Sequence, residues 1–282
     1  KGDRQAFDML VEGLENEKET VRENAFEAID DIIQGQDLNK TLDIDITDAL
    51  IRALEDNNSN VRYYAVSILG KLRAIEAVNY LINTLLEDKD YRVREESAWA
   101  LGEIKDSKAI SSLHKALKDP ERFVREKVVL ALDNFADLSS IDPLIEALQD
   151  KRDENNRVRA LSALMLGRIG SPKAIKYLLE ALKDTFSDVR EETSQALQKI
   201  VRINKVPNIT DLLKEVLTEV EQEVKEFEKE LKLTGKEKEA LYQAILEKAK
   251  EDRREIHLTI TSLLDKLEAP LYLSSSNNEE NA

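Results

Sequence analysis

The sequence contains no cysteine among its 282 residues. Disulfide bonds, thiolate metal ligands and a cysteine nucleophile are therefore excluded. A chain without disulfides is typical of a reducing compartment, and we expect a cytoplasmic protein.

Glycine, proline and aromatic residues are also scarce. The chain has 8 glycines and 5 prolines, and aromatic residues make up 5% of it. Few turn formers beside many alanines, leucines, glutamates and lysines are typical of an all-α protein. No apolar run approaches the ~20 residues that span a bilayer, and no signal-peptide pattern opens the chain, so we expect no membrane insertion. The helical pattern begins almost at Lys1, which leaves an upstream segment or domain open.

Positive charge is in deficit. Lys and Arg number 42 against 57 Asp and Glu, which gives a net charge of −15. Such a chain repels phosphate backbones, so the charge argues against nucleic-acid binding.

What the sequence does have is an internal repeat. Six Val-Arg pairs recur at a repeat-like interval, with spacings obtained by subtraction of 40, 32, 31, 34 and 31 residues. Around each pair, apolar residues recur three and four apart, which is the helical period. Each repeat therefore predicts two antiparallel helices, and because neither can bury its apolar stripe alone, the repeats must stack into an α-solenoid. The valines of the six pairs are Val21, Val61, Val93, Val124, Val158 and Val189.

The sequence pattern changes after the sixth repeat. Residues 209–231 and 236–269 read as two longer amphipathic helices separated by a short turn. We therefore predict three parts: a six-unit solenoid at 1–202, a long helical hairpin at 203–269 that caps the solenoid, and a disordered tail at 270–282.

The repeat resembles the HEAT-repeat family, in particular the short phycobilin-lyase-like HEAT repeats. The pattern of that family is an Asp, then Val-Arg, then Ala and Leu-Gly, which unit 3 matches at Asp88, Val93, Arg94, Ala98, Leu101 and Gly102. The first unit departs from it with Asn16 in place of the Asp. The resemblance implies a solenoid but leaves the function open, because the fold hosts many functions. We assign the recurring Asp and Arg to the scaffold, with the Asp capping the next helix and the Arg bridging to a neighbouring unit.

Catalytic patterns are not found. His114 and His257 stand alone, we expect both to be exposed, and neither has a second ligand at metal-binding spacing. No phosphate loop or nucleophile elbow is present. Deoxyhypusine hydroxylase also uses HEAT-type repeats, but it holds its irons with His-Glu motifs, and this chain has no His-Glu pair. We therefore predict a protein that is not an enzyme and has no metal or cofactor.

One surface row stands out in the second helices of the repeats. With each valine counted as position 1, positions 3, 7 and 10 point away from the predicted core. By analogy with other HEAT solenoids, they would line the concave face. Position 7 carries large apolar residues in units 3 to 5 and polar ones elsewhere, and carboxylates border it. The predicted partner-binding residues are Tyr63, Glu95, Trp99, Glu126, Leu130 and Leu164.

Two interpretations of Trp99, the only tryptophan, remain open. It is either an anchor for a partner or a space-filling residue packed beside the glycines at position 10. The first interpretation favours a non-catalytic scaffold or adaptor that binds another protein. Its partner would be an apolar segment with Lys or Arg, such as an amphipathic helix. The resemblance implies an alternative, an accessory subunit of a tetrapyrrole (bilin) lyase-like modification or maturation system.

Overall fold

The structure is a computed structural model, which describes residues 2–35, 46–151, 156–204, 206, 208–231 and 239–268. Throughout these ranges the regular structure is helical, with fourteen α-helices and four short 3₁₀ turns among the described residues. The fold is an all-α solenoid, as the repeat predicted. The chain forms two compact units, residues 1–147 and 148–282.

The first unit contains four consecutive helix pairs. The second helices of successive pairs pack side by side, α2 against α4, α4 against α6, and α6 against α8. A ninth helix, α9, spans Ile141–Gln149 and contains the boundary between the units. The bounds are α1 Gly2–Gly13, α2 Glu19–Gly35, α3 Thr47–Ala53, α4 Ser59–Leu72, α5 Val78–Glu87, α6 Tyr91–Ile104, α7 Ile110–Ala116 and α8 Arg122–Asp133.

The second unit continues the same alternation and then changes to long helices. Helix α12 packs against both α10 and α14, while α13 and α14 pack on each other. The bounds are α10 Arg157–Ile169, α11 Ile175–Ala181, α12 Ser187–Asn204, α13 Ile209–Leu231 and α14 Glu239–Glu268.

The second helices α4 and α6 each begin at a polar side-chain cap and end at a left-handed residue. At the start of α6 the Asp90 carboxylate accepts a hydrogen bond from the Arg92 N–H at 2.9 Å, and α4 begins in the same way at Asn58. Both helices end at a residue of positive φ, Arg73 at 52° and Lys105 at 60°. The backbone N–H of each donates a hydrogen bond to a carbonyl of the last helical turn. Because the helices end at these residues, the chain can turn within a few residues into the next helix pair.

Four of the Val-Arg arginines hold both the loop of their own repeat and the aspartate of the next repeat. The Arg62 guanidinium donates two hydrogen bonds to the Asp88 carboxylate, at 2.7 and 2.8 Å, and one to the Asp56 carbonyl at 2.8 Å. Bidentate pairs of this kind are the stronger class of charged hydrogen bond. The same two-bond contact joins Arg22 to Asp56, Arg94 to Asp119, and Arg159 to Asp184.

The predicted scaffold role of this Arg–Asp ladder is therefore confirmed, with one correction. The ladder aspartate does not cap the helix itself. Asp88 instead accepts the Asp90 N–H at 2.9 Å, and Asp90 is the residue that caps α6.

Position 10 of the second helices does not face outward, contrary to the sequence prediction. A Cβ placed on Gly70 would lie 2.8 Å from the Ala100 Cα, and one on Gly102 would lie 2.9 Å from the Ala131 Cα. These glycines therefore allow close approach of the next second helix. The 100° rule placed position 10 on the open side because it considers one helix alone and ignores its neighbour.

The base of the C-terminal hairpin packs on the sixth repeat. Leu213 of α13 and Ile256, Ile260 and Leu263 of α14 have side chains that are fully buried. Arg190 of α12 is 2% exposed and lies 2.5 Å from the Glu255 carboxylate of α14. The division of the chain at 202 and 269 stays a prediction, and the tail predicted at 270–282 lies outside the described residues.

Candidate protein-binding surface

The surface row predicted from the sequence is partly exposed in the first unit. Leu130 is 43% exposed on α8. Tyr63 on α4, Trp99 on α6, and the carboxylate residues Glu95 and Glu126 are half-buried. Four of these five residues lie on the neighbouring helices α6 and α8, so the apolar part of the row is concentrated there.

The ring of Trp99 leans over the preceding second helix. A Cβ at Gly70 would lie 2.8 Å from the Trp99 Cζ3 atom, so the absence of a side chain at Gly70 makes room for the indole. Trp99 is nonetheless only half-buried. The space-filling interpretation therefore describes the edge of the ring beside Gly70, and the role of Trp99 as an anchor for a partner stays a prediction.

Two exposed aromatic residues extend this surface and were missed from the sequence. Tyr91 and Phe123 are 38% and 40% exposed, and their rings stack with centroids 6.3 Å apart and planes at 27°. They stand one helical turn before Glu95 and Glu126, on the same sides of α6 and α8. The signal that could have found them is this spacing of three or four residues, which the numbering from the valine left out.

We call this surface the α6–α8 face and define it by Tyr91, Glu95, Trp99, Phe123, Glu126 and Leu130. The two helices run side by side in the same direction. Tyr91 contacts Phe123 near their starts, Glu95 lies 3.6 Å from the Lys127 Nζ in the middle, and Gly102 meets Ala131 near their ends. Along each helix the order is aromatic, carboxylate, then large apolar.

The edge of the face toward α4 is polar and rich in carboxylates. At position 7 of the second helix, α4 carries Ser67 whereas α6 carries Trp99. Ser67 is 4% exposed. Burial raises the pKa of the Glu96 carboxyl above its usual range, against the lowering effect of a hydrogen bond from Ser67 and of the charge of Lys127. Burial, together with the charge and hydrogen bond of Glu96, raises the pKa of Tyr63 to about 12. Tyr63 is therefore a neutral hydroxyl at physiological pH.

The cations at this edge have carboxylate partners of their own. Lys71 lies 2.6 Å from the Asp30 carboxylate, and Lys127 pairs with Glu95. Three carboxylates, Asp30, Glu95 and Glu96, thus surround two lysines. Carboxylates therefore outnumber cations at this edge, while at the Phe123 end of the face the Arg122 guanidinium lies 4.4 Å from the centroid of the Phe123 ring.

Leu164 was predicted as the last member of the row. It lies on α10 in the second unit and is half-buried. Since the row predicted from Trp99 to Leu164 crosses from one unit to the other, only its first-unit part defines the α6–α8 face.

The two histidines are not the exposed residues that the sequence predicted. His114 is half-buried, its Nε2 lies 2.9 Å from the Ser140 hydroxyl, and burial lowers its pKa. His257 is also half-buried, with its Nε2 3.6 Å from a Glu221 carboxylate oxygen. Within the described ranges, no group of three or more His, Asp or Glu side chains is placed to hold a metal ion. No helix in those ranges is both long and apolar enough to cross a membrane.

The repeat is matched by the family model described as HEAT repeats, over residues 47–133, 78–164, 110–198 and 141–228. Together these matches cover more than half of the chain, which therefore belongs to the HEAT-repeat family. No curated protein matches it.

Several solved structures are similar in fold. An engineered protein has a TM-score of 0.56 and 23% identity, over 92% of this chain and 69% of that one. A designed armadillo repeat protein in complex with the peptide (KR)4 has a TM-score of 0.54 and 19% identity, over 68% and 98%. The Kap95:Nup1 complex gives a TM-score of 0.51 and 16% identity, over 92% of this chain and 36% of that one. At these identities the similarity concerns the fold.

Proposed function

We propose that this protein is a non-catalytic scaffold or adaptor that binds another protein through the α6–α8 face. The observation that carries the proposal is the exposure of Tyr91, Phe123 and Leu130 on adjoining helices, with Trp99 half-open between them. Single exposed apolar residues are normal, but several on one face are typical of interaction sites. Aromatic residues are also the side chains that dominate binding energy at interfaces.

The charge around the face selects the kind of partner. Glu95 lies between Tyr91 and Trp99, Glu126 lies between Phe123 and Leu130, and Glu96 adds a carboxylate at the edge. A partner segment that is apolar and carries Lys or Arg complements both features, while an acidic segment would be repelled. Two proteins of similar fold were solved with other chains bound: the designed armadillo protein with the basic peptide (KR)4, and Kap95 with Nup1.

The test is affinity capture with two variants that differ only in position. Leu130→Lys removes an apolar contact and places a cation against a basic partner, while Leu138→Lys makes the same change at a residue 69% exposed in the turn before α9. We expect a protein that is captured by wild type and Leu138→Lys to be lost with Leu130→Lys. The captured protein is then purified and titrated against all three chains. Equal affinity for the two variants would show that the face does not bind it.

The alternative, a subunit of a tetrapyrrole attachment or maturation system, rests on the family resemblance alone. It predicts that the purified protein binds a bilin and shifts the visible absorbance of that bilin. An unchanged spectrum at saturating protein concentration would remove this alternative.

A further inference from the structure

We infer that the partner segment binds the α6–α8 face as an amphipathic helix that lies along α6 and α8, with a Lys or Arg midway between two apolar residues. This inference rests on the proposed function and specifies the form of the partner. Its basis is the repeated order of side chains along the two helices, together with their parallel arrangement.

The long axis of the face follows the helices. On α6 the order is Tyr91, Glu95, Trp99, and on α8 it is Phe123, Glu126, Leu130. Across the helices the apolar surface ends toward α4, where Ser67 takes the place of Trp99. With a rise of about 1.5 Å per residue, the apolar ends of each helix are separated by roughly 10–12 Å, and a carboxylate lies between them. A ligand that matches the face must repeat apolar, basic, apolar over that distance.

Two backbone conformations satisfy this distance, and hydrogen bonding favours one of them. A helix presents the pattern with apolar residues seven or eight apart, and an extended strand presents it with apolar residues about four apart. An extended strand must also satisfy its own N–H and C=O groups. Amide side chains could satisfy both groups, because they donate and accept hydrogen bonds. Positions 3 and 7 of α6 and α8 instead carry carboxylates, an indole and a leucine, none of which does both. A helix satisfies its own backbone and needs only side-chain contacts, as in helix-in-groove recognition.

The parallel arrangement of α6 and α8 provides a surface along which a third helix can lie. Their close approach at Gly102 and Ala131, and the stacking of Tyr91 on Phe123, hold the helices together at both ends. A third helix can pack against two such neighbours, with its basic residue beside Glu95 and Glu126. In that position the aromatic pair contacts one apolar residue of the ligand, and Trp99 with Leu130 contacts the other.

Trp99 supplies the measurement, because it is the only tryptophan of the chain. Three synthetic peptides without aromatic residues are titrated against the full chain, and tryptophan emission and peptide circular dichroism are recorded. The first, in an alanine-rich background, has two leucines seven residues apart with a lysine four residues after the first. The second, in a threonine-rich background, has them four apart with the lysine midway. The third is the first with glutamate in place of the lysine.

We expect the first peptide to change the Trp99 emission saturably and to become helical, and the other two to bind at least about tenfold more weakly. The double variant Tyr91→Ala/Phe123→Ala is expected to weaken the first peptide about tenfold or more, and Tyr80→Ala, at an exposed tyrosine of α5, is expected to leave its affinity unchanged.

Tighter binding of the threonine-rich peptide would overturn the helical form of the ligand but leave the proposed protein-binding function in place. Equal binding of the glutamate peptide would overturn the role of the carboxylates. Failure of all three peptides to bind would also overturn this inference, and the capture experiment with Leu130→Lys would then decide the proposed function by itself.

Discussion

The Arg–Asp ladder leads to a prediction about stability that can be worked out from one rung. Asp88→Ala removes the acceptor of two hydrogen bonds from Arg62 and of one from the Asp90 N–H. The Arg62 and Asp88 side chains are 13% and 6% exposed, so the cation is left in a largely dry site. Removing one partner of a buried pair costs about 3–5 kcal/mol. Because Arg62 keeps its bonds to the Asp56 and Asn57 carbonyls, we expect the lower end, about 3 kcal/mol.

A matched surface pair provides the control. Arg52 and Glu15 also bridge two neighbouring repeats, but their side chains are 63% and 59% exposed. Glu15→Ala should therefore lower the free energy of unfolding by less than about 1 kcal/mol. Both variants are compared with wild type by urea denaturation followed by circular dichroism. Native-state hydrogen exchange should place the loss from Asp88→Ala at α4 and α6.

A double variant separates the charge from the packing. Arg62→Met with Asp88→Leu removes both charges and keeps apolar volume, so it should recover most of the stability lost by Asp88→Ala. If Asp88→Ala costs no more than Glu15→Ala, the ladder does not hold the units together and the reasoning is refuted.

Three further predictions follow from other contacts. Gly102→Ala should lower the free energy of unfolding by about 1–2 kcal/mol in a denaturation experiment, because overpacking against the next helix outweighs the gain in helix propensity. Glu255→Ala should cost less than Asp88→Ala, about 1 kcal/mol by thermal denaturation, because Glu255 is 54% exposed and water can replace it at Arg190. Hydrogen bonds from Arg92, chiefly, lower the pKa of Asp90 to about 2. Since this folded-state pKa is depressed, the stability from Asp90 is present above its unfolded value near pH 4 and is lost as the pH falls toward 2. Asp90→Asn should therefore flatten an acid-unfolding curve in that range, and an unchanged slope would contradict the assignment.

The parts of the fold that the sequence predicted are those repeated along it. Six Val-Arg pairs at similar spacing define the helix pairs, and four of their arginines form the described ladder, since the same residue at the same position of a repeat tends to have the same neighbours. The recurring glycine was noticed as well, but its role was read wrongly. A single helix does not reveal which of its sides the next helix covers, and only the contact of Gly70 with Ala100 does so.

The candidate site was predicted less completely for a related reason. Trp99 and Leu130 stood out because they replace polar residues in a repeated row. Tyr91 and Phe123 have no row of their own, because the residues before the valine vary between units and their stacking depends on the relative offset of α6 and α8. Residues that occur in only one or two repeats take their positions from packing between helices. The periodicity within a single helix therefore does not reveal their contacts.

The short sequence separation within the ladder also bears on how the chain is made. Its described pairs join residues 25 to 34 positions apart, so each unit can complete its contact with the next after one further repeat has been synthesised. At about 5–20 residues per second, a ribosome takes seconds to produce that length. Helical structures with local contacts form in about microseconds to milliseconds. The array can therefore fold from the N-terminus onward during translation. Arg190 is the exception, since its carboxylate partner, Glu255, lies 65 residues later. Until α14 emerges, the Arg190 guanidinium therefore lacks that partner.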